Sequence, residues 1–187
     1  MARGGPSPSR PLPWQLAPVE ARALVSYNRS VFERYVRRLR RMPRRQAQKN
    51  RETGHLTWIG TLSHILNVHE AWMLYIVPGR TRELYQRFKD DDRHPTTWPG
   101  LVRYGKLVLD GVDAWSEKVT ARELARPVKA PWMPGHYTVS DALMQTTLEQ
   151  AHHLGEIIGT LWQEDLAPPD MTWIDIRRPR RGRRRSS

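Results

Sequence analysis

Apolar residues recur at helical spacing through most of this chain. From about Val19 to Arg41, Ala23, Leu24, Tyr27, Val31, Tyr35 and Leu39 stand three and four apart, the stripe of an amphipathic helix that Pro43 ends or kinks. Thr57 to Val77 is apolar on more than one face, so it predicts a helix lying inside a bundle, stopped by Pro78-Gly79. After a polar stretch at 80–96, Leu101, Tyr104, Leu107, Val108, Val112 and Trp115 predict a helix from about Trp98 to Lys118. Pro127, Pro131 and Pro134 then mark a loop. A last long helix is predicted from near Val139, with Thr138 or Ser140 as N-cap, to before Pro168-Pro169. Residues 37–51 read as a continuation of the first helix, and Met171–Ile176 as a short extended segment that packs Trp173 on the body. Four long helices with almost no strand alternation predict an all-α four-helix bundle.

Length and composition set further bounds. At 187 residues a single domain buries enough surface to fold without staples. With no cysteine, a disulfide scaffold, an iron–sulfur site, a thiolate zinc site and a thiol nucleophile are all excluded. A bound metal must use histidine or carboxylate. Four prolines and two glycines in 1–13 and the Arg/Pro/Gly/Ser tail predict disordered ends, giving segments 1–17, 18–176 and 177–187. The absence of a secretory h-region and of a spanning apolar run predicts a cytoplasmic protein with no membrane contact.

The net charge of +12 is unevenly placed. Fifteen basic residues lie in two acid-free blocks, 37–51 and 177–185, leaving −3 for everything else. Such blocks are usually solvated, yet they also favour non-specific, salt-dependent contact with nucleic acid. No recognition motif accompanies them.

The candidate chemistry lies in the helices. Glu149 and His153, four apart, share one face of the last helix, a spacing that suits two ligands of one metal, and His64 among core-like neighbours is the candidate third. His152 with Glu149, three apart, is an alternative pairing. The plainer reading leaves His64 and His153 as hydrogen-bonded core residues. Glu156, three residues past His153, either orients a ligand or is solvated, and it is the one candidate for acid–base work. Gly155 suggests close approach of a neighbouring helix. Trp58, Trp72, Trp115 and Trp162 are expected in core or interface, and His55, His69, His94 and His136 on the surface or in loops.

Two stretches resemble the DinB/YfiT superfamily: Thr61-Leu-Ser-His64-Ile-Leu-Asn-Val-His-Glu-Ala-Trp72, and Glu149-Gln-Ala-His-His153-Leu-Gly-Glu156-Ile, with Pro168-Pro169-Asp170 similar to the usual ending. The likeness covers about 19–175. It implies an up-down-down-up four-helix bundle, often a homodimer, with a divalent metal, zinc or nickel, in a histidine triad. Several relatives are thiol-cofactor-dependent transferases or isomerases. Carried over by position, the ligands are His64, Glu149 and His153. Glu149 stands where His is commoner, and Leu154 and Glu156 stand where Arg and Gln are usual. A carboxylate can ligate the same ions, but it lowers the charge of the centre and its Lewis acidity. The function this implies is a metal-dependent hydrolysis or group transfer on a small-molecule substrate, with water or a thiol activated. The other reading is a non-catalytic nucleic-acid-associated or stress-related interaction protein that works through its arginine blocks.

Overall fold

The computed structural model describes residues 15–89 and 94–177. The disorder expected of 1–13 and of the arginine tail beyond 177 lies outside the described residues. The chain is all-α: α1 (Pro18–Leu39), α2 (Arg44–Ala47), α3 (Trp58–His69), α4 (Thr81–Lys89), α5 (Trp98–Lys118), α6 (Ala121–Leu124), α7 (Val139–Gln163) and α8 (Trp173–Arg177). One two-residue antiparallel ladder pairs β1 (Pro127–Val128) with β2 (Tyr137–Thr138). Among the described residues no helix is long and apolar enough to cross a membrane.

Each long helix begins where a polar side chain satisfies its free amides. Glu20 accepts from the Ala17 amide at α1, and the Thr57 hydroxyl accepts from Gly60 N at α3. Thr97 caps α5 in the same way through Gly100 N. At α7, Thr138 and Asp141 cap each other reciprocally, which selects Thr138 over Ser140 as the N-cap. Leu39, Leu62, Leu66, Leu101, Val108, Leu143, Leu154 and Leu161 fill the space between α1, α3, α5 and α7. Two polar staples fix α3 on its neighbours. The Trp58 indole N–H donates to Thr160 Oγ1 at 2.9 Å, and buried His69 pairs its Nε2 with Gln150 Oε1 at 3.1 Å, while Gln150 donates to the Asn28 carbonyl.

Several expectations need correction. α1 stops at Leu39, and the basic stretch beyond it is a turn, the single-turn α2 and a loop. The polar stretch 80–96 contains α4, which buries Leu84 and sets Arg87 against the buried Glu70 carboxylate at 3.2 Å. α3 continues as a π-helical segment, Glu70–Ile76. Met171–Ile176 is not extended, since α8 occupies most of it, although Trp173 does pack on the body with its ring 5.1 Å from Tyr27. His69 is fully buried rather than on the surface. Among the described residues nothing approaches Gly155 within 4 Å of where a Cβ would stand, so helix approach does not explain it; of the core or interface places expected for Trp162, its 66% exposure leaves the interface.

Candidate metal centre

α3 and α7 pack side by side, and this brings His64, two turns into α3, against His153 in the middle of α7. Their ring centroids are 4.5 Å apart at 81°. A third imidazole joins them from the loop before α3. His55 stacks on His64 at 3.9 Å and meets the edge of His153 at 5.1 Å. One ring nitrogen from each of the three lies within 4.8 Å of the others.

The loop is shaped to deliver His55. Leu56 adopts a left-handed backbone, φ 61°, which turns the chain sharply between His55 and the Thr57 cap. The His55 carbonyl then lies so close to α3 that a Cβ on Gly60 would stand 2.3 Å from it, so only glycine fits in this first turn of the helix. The base of the loop is fastened to the end of α7. Lys49 Nζ and Arg51 Nη2 pair with Glu164 at 2.9 and 3.3 Å, and the Arg51 guanidinium lies 3.6 Å over the Trp58 ring.

Glu149 and Glu156 flank the imidazoles without joining the three-nitrogen group. Glu156 Oε2 is 3.1 Å from His153 Nδ1, so the carboxylate accepts that N–H and leaves the Nε2 lone pair of His153 for a ligand role. Glu149 Oε2 is 3.4 Å from His153 Nε2, and its other oxygen accepts from Gln145 Nε2 at 2.8 Å. His152 is exposed and 3.7 Å from Glu156, so the alternative pairing with Glu149 is not formed. Of the residues singled out in the sequence, His64, Glu149, His153 and Glu156 thus fall in one place. His55 was missed because helical period carries no information about a loop; the glycine in the first turn of α3 was the available signal.

The electrostatics suit a metal. Burial first, then the neighbouring imidazoles of His55 and His153, push His64 down to about 4. Burial, with His153 next, also lowers His55. Both rings are therefore neutral near pH 7, the state in which imidazole ligates. Three imidazoles facing one another, one of them oriented by a carboxylate on its far nitrogen, fit a divalent cation of the borderline class.

The family model of the DinB superfamily matches residues 27–157. The chain belongs to this superfamily. The match takes in His55, His64, Glu149, His153 and Glu156, so the whole candidate centre lies within the DinB region. No curated protein matches the chain.

Of the first basic block, Lys49 and Arg51 stand at the base of the His55 loop. Arg37, Arg40, Arg41, Arg44 and Arg45 are exposed around the end of α1 and α2.

Proposed function

We propose that this DinB superfamily protein is a metal-dependent enzyme whose divalent ion, zinc or nickel, is held by His55, His64 and His153. The observation that carries this reading is the convergence of three imidazoles, His55 and His64 kept neutral by burial and His153 braced by Glu156. When bound, the ion supplies Lewis acidity for activating water or a thiol in hydrolysis or group transfer. The chain's own residues do the rest. Glu156 fixes the tautomer and direction of His153 and holds its Nδ1 proton. Glu149, at 3.4 Å from His153 Nε2 and hydrogen-bonded by Gln145, is placed to serve as a further ligand or to accept a proton beside the site. His64 and Glu149 also line a cavity able to admit a small-molecule substrate.

The same reading takes the four long helical segments as the up-down-down-up bundle of the family. It also takes the protein as a homodimer, an arrangement supported by Leu148 and Trp162, 58% and 66% exposed on α7. The functional test is a comparison of metal-loaded, chelator-stripped and His64→Ala protein against a panel of activated esters and thiol–electrophile pairs. Turnover in the loaded wild type alone supports the reading. Equal turnover in all three assigns it to something other than this centre.

A further inference from the structure

A cavity of about 530 Å³ opens beside His64 and follows α3 toward Trp72. His64, Asn67, Val68, Ala71 and Trp72 succeed one another at spacings of three, one, three and one, so they form one stripe of roughly 12 Å at the helical rise. The wall is apolar and aromatic: Val68 from α3, Trp72 from the π-helical segment, Leu84 and Phe88 from α4, Trp132 and Met133 from the loop before β2. The polar atoms belong to His64, Asn67, His94, Gln145 and Glu149, with Asn67 Nδ2 2.7 Å from His94 Nδ1.

Two features separate this cavity from a gap in packing. Trp132 is 52% exposed, yet its ring is held edge-on to Trp72 at 6.1 Å and 77°, bordering the cavity instead of a core. Tyr85, also lining it, is 54% exposed. Exposed large aromatics grouped around a concave apolar surface mark a place where a ligand completes the packing. The second feature is charge. Among the described residues neither lysine nor arginine lines the cavity, and its one carboxylate is Glu149. The adjoining helix α4 carries Arg82, Arg87 and Lys89, none of them on the lining, and Arg87 is engaged by both oxygens of Glu70. In the metal-free protein an anionic ligand placed here meets the like charge of Glu149 with no lysine or arginine on the described lining, which is costly in a poorly hydrated site.

We infer that this cavity binds an uncharged small molecule with an aromatic or comparably apolar body along the Val68–Trp72–Phe88 wall and a single polar head beside His64 and Glu149, and that without a metal it disfavours anions. The placement of the head rests on the metal-centre reading. The placement of the body does not.

The test uses two matched probes, 4-phenyl-1-butanol and 4-phenylbutanoate, titrated calorimetrically into full-length protein at pH 7.5, chelator-stripped and metal-loaded. In stripped protein the alcohol binds at least about tenfold more tightly than the acid. Trp132→Ala, at an exposed position, weakens the alcohol about fivefold or more, and Phe88→Ala does likewise. Glu149→Gln narrows the gap between alcohol and acid. The inference is overturned if stripped protein binds the acid as well as the alcohol. It is equally overturned if the alcohol binds no better than about 10 mM, or if neither aromatic substitution affects it. Should the protein take up no metal while the stripped-state preferences hold, the metal reading fails and the cavity inference stands.

Discussion

His55 lies face to face on His64, ring centroids 3.9 Å apart and planes 20° from parallel. Two imidazoles so placed cannot both hold a proton cheaply. With burial and His153 acting in the same direction, His64 is pushed down to about 4 and His55 is lowered as well. Metal binding at pH 6 therefore displaces few protons. Three imidazoles with ordinary pKa values would release roughly two, and this site releases clearly fewer. Calorimetry of metal uptake in buffers of different ionisation enthalpy gives the number directly. A release of two or more would show that the rings are not the neutral pair described.

Gly60 permits the His55 carbonyl to lie against α3. In Gly60→Ala the added carbon, 2.3 Å from that oxygen, forces backbone to move, which no flexible side chain can absorb. Alanine is the better helix former by roughly 1 kcal/mol, so helix content is retained while His55 is displaced. Metal affinity, read by competition with a chelating dye, is expected to fall about tenfold or more. Unchanged affinity would remove His55 from the ligand set.

Glu164 holds the same loop from a distance through Lys49 and Arg51. Glu164→Gln removes the charge that both cations share. Amide hydrogens of residues 50–57 should then exchange faster, while those in the middle of α5 keep their protection. Metal affinity drops several-fold even though no ligand has been touched. The control is Glu83→Gln, whose partner Arg80 is an exposed neighbour on the surface, and it leaves both measurements where they were.

His69 provides a pH test separate from the metal site. It is buried, its Nε2 pairs with Gln150, and burial pushes it down to about 4. Below about pH 6.5 the unfolded chain takes up a proton that the folded chain refuses, so stability falls as the pH drops from 6.5 toward 4. Between pH 7 and 4.5 the loss from this residue is about 2–3 kcal/mol. Urea midpoints of chelator-stripped wild type fall more over that range than those of His69→Gln, which keeps a donor for Gln150. Parallel curves for the two proteins would mean that His69 does not titrate in this way.

The long helices were legible because local chemistry and packing agree in them. Trp98–Lys118 follows from its apolar stripe, which the Thr97 cap begins, and α7 from the Thr138 cap. α4 was hidden because its nine residues bury only Leu84 fully, and one of its cations, Arg87, is satisfied by Glu70, seventeen residues back. The π-helical stretch 70–76 was hidden because an apolar run does not distinguish wide turns from ordinary ones. Within the site, His64 and the Glu149–His153–Glu156 group were legible from helical spacing. His55 was not, because its position depends on a left-handed Leu56, a glycine in the facing helix turn and a salt bridge to residue 164, none of which leaves a periodic trace.

The central claim is that His55, His64 and His153 together hold one divalent ion. It is tested most directly by the metal content of untagged protein after loading and desalting, for wild type beside His55→Ala, each checked for retained helix by circular dichroism. The account predicts about one equivalent per chain in the wild type and less than about 0.2 in a folded His55→Ala. A wild type that retains less than about 0.2 equivalents, or a His55→Ala variant that retains a full one, would contradict it.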